Sequence, residues 1–169
     1  EAVTGKPLAN YWLHVAFVNM AGGKMAKSEG NIVTLAEITA RNVSPLAYRY
    51  WLLSAHYRTT MDFSWVALAS AAAALKKLQN RIADLKEETK GQTGTPNQKY
   101  LDKFTEAIDN DLNLPVALSV VWQLLDDGSA VSADPPEGFV RANTLATILE
   151  FDKVLGLDLI SATQAIEIP

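Results

Sequence analysis

Between Ser64 and the stretch Gly91-Gln92-Thr93-Gly94-Thr95-Pro96, apolar residues return at alternating steps of three and four: Leu68, Ala71 or Ala72, Leu75, Leu78, Ile82 and Leu85. A helix of 3.6 residues per turn gathers such positions on one side, so the spacing predicts a long helix with a narrow apolar seam. Its other faces carry Lys76, Lys77, Arg81, Lys86, Glu87 and Glu88. A seam of this kind is stable only when buried against partners. Three amphipathic segments follow to supply them. One runs from Asn97 to Asn110 on Leu101, Phe104 and Ile108, and the next from Pro115 to Leu125. The last runs from Glu137 to Leu155 on Phe139, Leu145, Ile148, Leu149 and Val154. Short connections between helices make antiparallel neighbours. A four-helix bundle is therefore expected over 64–169, with a polar loop from Asp126 to Pro136.

Residues 1–63 read differently. The run from Tyr11 to Met20 is rich in aromatic and β-branched side chains, and Ala21-Gly22-Gly23 follows it as a turn signal, which predicts a short strand or hairpin. Thr34 stands three residues before Glu37, the spacing of a reciprocal cap, so a short helix is expected from Leu35. Ser44-Pro45 starts another. Proline at the first helical position sacrifices no hydrogen bond, and Tyr48, Trp51, Leu52 and Ala55 then share one face over about three turns.

Composition removes several classes of function. There is no cysteine, so disulfides, thiolate catalysis and thiolate metal sites are excluded, and His14 and His56 cannot complete a structural zinc site alone. No run of 18 apolar residues or leader-like start occurs, so a cytoplasmic protein with no membrane span is expected. The net charge of −4 is unevenly spread. Residues 1–100 hold twelve Lys or Arg against seven Asp or Glu, a balance of +5, whereas 101–169 hold three against twelve, a balance of −9. Contact with a polyanion is thus expected in the first hundred residues. The opening at Glu1, without methionine, suggests an excised or split product.

Chemistry concentrates in Gly22-Gly23-Lys24-Met25-Ala26-Lys27-Ser28-Glu29-Gly30-Asn31, where two lysines three apart lie between glycines with hydroxyl and amide groups beside them. Glycine permits close backbone approach and movement, and an ammonium can follow charge migrating onto a leaving phosphate. Such a segment can act as a lid. By itself the pattern is also that of a solvated turn.

The order of the surrounding words adds context. Lys24-Met25-Ala26-Lys27-Ser28 resembles the KMSKS signature of class I aminoacyl-tRNA synthetases, with Ala26 at the first serine. Tyr11-Trp12-Leu13-His14, Gly30-Asn31, the run from Tyr50 to Arg58, Asp62-Phe63-Ser64, and the run from Phe104 to Asn113 with Pro115 and Ala117 are similar to cysteinyl-tRNA synthetases in particular. The resemblance implies a mainly α chain: a small αβ edge of a class I catalytic domain over 1–63, then a tRNA-binding antiparallel helical bundle over 64–169. It implies ATP-dependent activation of cysteine and transfer to tRNA(Cys). Lys24 and Lys27 would be catalytic, and with Ser28 they would bind ATP. Arg58, Lys76, Lys77 and Arg81 are candidate tRNA contacts.

The family's HIGH-type motif and zinc ligands lie upstream of the matched region, so zinc is expected only in a full-length enzyme, and the isolated chain is expected to be inactive without an amino-terminal catalytic half. An edge deprived of its sheet would expose Trp12, Val15, Phe17 and Val18 and favour dimerisation. Competing readings are a cysteine:amino-sugar ligase and a non-catalytic helical tRNA-binding or interaction module. His14 and His56 are read first as packing groups, Trp51 and Trp122 as core, and Asp109 and Asp111 as caps rather than acids or metal ligands.

Overall fold

The computed structural model describes residues 5–20, 23–24, 32–127 and 141–160. There are three short strands among the described residues: β1 (Val18–Met20), β2 (Gly23–Lys24) and β3 (Met61–Phe63). They form one sheet in the order β2-β1-β3, antiparallel between β1 and β2 and parallel between β1 and β3. The hairpin expected after Met20 is present, but the strand is three residues long and residues 11–17 lie outside it. Met61–Phe63 carries no periodic signal of its own. It becomes a strand through Val18, Asn19 and Met20, which pair with Met61, Asp62 and Phe63.

Between the strands run α1 (Leu35–Ala40) and α2 (Pro45–Leu53). Thr34 closes the reciprocal cap: its hydroxyl accepts from the Glu37 N–H at 3.2 Å, and the Glu37 carboxylate accepts from the Thr34 N–H at 2.7 Å. Ser44 caps α2, whose buried residues are Ala47, Tyr50 and Trp51. The expected face was partly misassigned, because Leu52 is exposed and Ala55 lies beyond the helix end. Trp51 meets the Phe63 ring edge-on at 5.6 Å, and Phe63 meets Trp65 likewise at 5.2 Å, so an aromatic cluster binds α2 and β3 to the next helix.

That helix is α3 (Trp65–Thr89), capped by the Ser64 hydroxyl. It buries Leu68, Ala71, Leu75, Leu78, Ile82, Leu85 and Thr89, which are the expected seam extended by one turn. Lys90 ends it with left-handed backbone. α4 (Gln98–Asp109), α5 (Leu114–Asp127) and α6 (Arg141–Leu155) complete the bundle, with α4 packed on α5 and α6 packed on α3, α4 and α5. The start expected at Glu137 and most of the polar loop lie outside the described residues. A continuous core runs from Ile38 in α1 to Leu159 after α6.

The face of α6 differs from the expected one. Leu149 and Val154 are exposed, while Ala142, Thr144, Thr147, Ile148, Phe151 and Leu155 are buried. Two threonines within the stripe hid it. Thr147 is satisfied, donating to the Asn143 carbonyl and accepting from the Asn97 N–H at 2.8 Å. The buried Thr144 hydroxyl has no hydrogen-bond partner among the described residues. Thr144→Val removes that desolvated oxygen while keeping the shape, and is expected to stabilise the chain by about 1 kcal/mol in chemical denaturation.

Both ends of α6 are tied down. The 90–97 segment crosses its start so closely that a Cβ on Gly94 would come within 2.0 Å of the Ala142 carbonyl oxygen. At the far end, the Asp152 carboxylate accepts from the N–H groups of Leu157 and Leu159, and Arg49 donates to the Leu155 carbonyl at 2.6 Å.

Candidate functional site

Lys24 is the last residue of β2, opposite Asn19 on β1. β2 is an outer strand of the sheet, and the next described element is α1, capped by Thr34. Lys27 and Ser28 lie outside the described residues. Before β1, Tyr11 and Trp12 are 91% and 67% exposed, and Leu13, Val15 and Phe17 are exposed as well, so an apolar strip leads up to the strand. Beneath it a cavity of about 230 Å³ opens among Phe17, Leu52, Met61 and Leu114, a hydrocarbon lining suited to apolar surface rather than to phosphate.

The four candidate cations on the later elements occupy separate places. Lys76 is exposed on α3. Lys77 lies 5.9 Å from the centroid of the Trp122 ring, whose indole N–H donates to the Tyr50 hydroxyl. Arg81 donates to the Leu125 carbonyl at 2.8 Å and to the Asp126 carboxylate at 2.6 Å, completing the carboxyl end of α5 where a cation complements the helix dipole. Arg58 sits at the opposite end of α5, where both Nε and one terminal nitrogen donate to Asp111. The helix between them is about 20 Å long. Trp51 is buried and Trp122 is half-buried against the core.

Asp111 is the residue that reasoning from sequence misread. Asn113, rather than Asp111, reaches the start of α5, its side-chain oxygen accepting from the Val116 N–H at 3.4 Å. Asp111 turns instead toward residues 56–58. Its carboxylate accepts from the Tyr57 hydroxyl at 2.6 Å and from Arg58 Nε at 2.7 Å, and its carbonyl lies 2.9 Å from His56 Nε2. The Arg58 N–H donates to His56 Nδ1, so the two bonds together define the Nε2–H tautomer. Asp111 and Leu112 both hold positive φ, 56° and 54°, at a cost on the order of 1 kcal/mol each. Fifty-odd residues of intervening chain leave no periodic or spacing signal for this pairing.

Hydrogen bonds from Arg58 and then from Tyr57 hold the Asp111 carboxyl down at about 2, and the same bond to Asp111 raises the Tyr57 phenol. Because the folded carboxyl is the stronger acid, its contribution is fully present above the unfolded value near 4 and fades as pH falls toward 2. Side-chain carboxyl NMR is expected to show Asp111 still ionised at pH 3.

The chain has no cysteine, and no three potential metal ligands among His, Asp and Glu gather among the described residues. No helix among the described residues is long and apolar enough to cross a membrane.

The sequence is similar to those of known proteins. Residues 1–73 match the family described as tRNA synthetases class I (C) catalytic domain. Cysteine–tRNA ligase of Legionella pneumophila strain Corby is 42% identical over 124 residues, covering 73% of this chain and 26% of the relative. Cysteine–tRNA ligase 1 of Burkholderia lata is 38% identical over 160 residues, covering 94% and 31%. Cysteine–tRNA ligase of Thermotoga petrophila is 36% identical over 162 residues, covering 93% and 35%. The chain spans about a quarter to a third of the length of the curated relatives it matches. A lysine-bearing hairpin at a sheet edge followed by a helical bundle, with these matches, defines a chain of the class I aminoacyl-tRNA synthetases. Within that class it belongs to the cysteine–tRNA ligase family.

Proposed function

We propose that this chain serves ATP-dependent joining of cysteine to tRNA(Cys), with residues 1–63 acting as a catalytic-domain edge and 64–169 as the tRNA-docking bundle. The observation that carries this reading is the continuity of the match. Similarity to the Burkholderia lata ligase covers 94% of the chain, well past residue 73 where the catalytic family match stops. Loop and bundle are therefore shared as one unit.

In this reading Lys24, Lys27 and Ser28 contact the ATP phosphates, and the two ammonium groups stabilise charge developing on the departing pyrophosphate. Lys76 and Lys77 on α3 supply sequence-independent attraction to the tRNA backbone. Arg58 and Arg81, each bound to a carboxylate, contribute to the positive surface mainly by shaping it. The exposed strip at Tyr11, Trp12 and Phe17 packs on the remainder of a catalytic-domain sheet, and its exposure favours dimerisation of the isolated chain.

The test is a chimaera in which this chain replaces the matching stretch of the Legionella pneumophila ligase. The expected result is cysteine-dependent pyrophosphate exchange and charging of tRNA(Cys), with neither detected for the isolated 169 residues. A folded chimaera that activates cysteine but transfers it to an amino sugar, or that binds tRNA without activating cysteine, would overturn the proposal.

A further inference from the structure

We infer that Asp111 is a positioning residue that fixes the Lys24-bearing hairpin relative to the helical bundle, through its bonds to His56, Tyr57 and Arg58. The inference rests on the ligase reading only for its catalytic consequence.

The connection can be followed atom by atom. Asp111 lies in the turn between α4 and α5, anchored to the bundle by the bonds from the Leu112 N–H to the Ile108 carbonyl and from the Asn113 N–H to the Ala107 carbonyl. From there its carbonyl and both carboxylate oxygens reach three consecutive residues, 56–58. The Tyr57 carbonyl accepts from the Ala16 N–H at 2.8 Å, and the Met61 N–H donates to the Phe17 carbonyl at 3.2 Å. Met61 then begins β3, which pairs with β1, and β1 pairs with β2 at Lys24. A carboxylate in the bundle is thus joined by a path of hydrogen bonds and short backbone steps to the strand that contains Lys24.

Two features make this more than an incidental surface ion pair. The path is bidentate at Arg58 and includes a phenol and an imidazole, so its geometry is directional where a lone exposed pair would be loose. The turn also holds two successive non-glycine residues at positive φ, and this unfavourable backbone aims the Asp111 carboxylate and carbonyl at the 56–58 segment. β1 also rests on the core through Val18 and Met20, and β3 through Phe63. The Asp111 bonds therefore add direction to contacts that burial alone leaves free to slide, while residues 11–17 leading into β1 are largely exposed.

The first measurement is site-resolved hydrogen exchange on this chain with Asp111→Ala. Faster exchange by about tenfold at Ala16, Val18 and Met61, with Leu78 and Ile148 unchanged, is the expected result. Uniform acceleration, or none, would overturn the inference. Tyr57→Phe removes one bond with minimal repacking, and should give a smaller change at the same amides if Asp111→Ala does not fold.

The second measurement is cysteine-dependent pyrophosphate exchange in the chimaera described above. Asp111→Ala is expected to lower kcat about tenfold with KM for ATP nearly constant, and to be less than additive with Lys24→Ala. Full additivity would mean that Asp111 acts only on stability and would sink the positioning role. If Lys24→Ala alone leaves the rate intact, the catalytic reading of Lys24 fails, and the exchange experiment decides the positioning role by itself.

Discussion

Lys27→Ala in the chimaeric ligase is expected to slow cysteinyl-adenylate formation about a hundredfold while KM for ATP changes little. The reason lies in where charge appears. In the ground state the triphosphate is already neutralised by solvent and counterions, whereas in the transition state negative charge grows on the bridging oxygen and the leaving pyrophosphate. In the role proposed for it, Lys27 meets that charge only as it forms, so its effect is expected on kcat. Lys27→Arg keeps the charge but changes its shape and is expected to recover only part of the rate. Equal loss in kcat/KM for ATP with kcat unchanged would assign Lys27 to ground-state binding. An unaltered rate of adenylate formation would remove it from the chemistry altogether.

How far such a site can be read in advance depends on the range of the interactions that build it. The seam of α3 was legible because seven buried positions repeat one spacing over 25 residues, and a helix needs no distant information to form it. The caps at Thr34, Ser44 and Ser64 were legible for the same reason, each being satisfied within three residues. β3 was not, since three residues become a strand only by pairing with residues 43 positions earlier. Asp111 illustrates the harder case. Its local surroundings, Asp109 to Asn113, suit a cap, and locally Asn113 takes that role, leaving the Asp111 carboxylate for partners that folding alone brings near. For the lysine segment the pattern suggests phosphate chemistry but carries no geometry: the attachment of Lys24 to β1 and, through β3, to the bundle depends on pairing across the chain.

Phe151→Ala is expected to cost about 3–5 kcal/mol, lowering Tm by about 6–20 °C for a chain of this size. Phe151 is fully buried, and its ring stacks on Phe104 of α4 with centroids 4.3 Å apart and planes 15° from parallel. Truncation loses the transfer energy of the ring and leaves a cavity where α4 and α6 meet. Collapse into that cavity is opposed at both ends of α6, by the close passage of Gly94 over Ala142 and by the bonds from Asp152 and Arg49 beyond Leu155. With a total stability typically about 5–15 kcal/mol, such a loss removes a large part of the margin. Val154→Ala is the matched control, because an exposed valine should cost within about 0.5 kcal/mol. Paired urea titrations decide which face of α6 is inward. A larger loss for Val154→Ala than for Phe151→Ala would mean that the helix presents Leu149 and Val154 to the core, and that the threonine-containing stripe faces solvent.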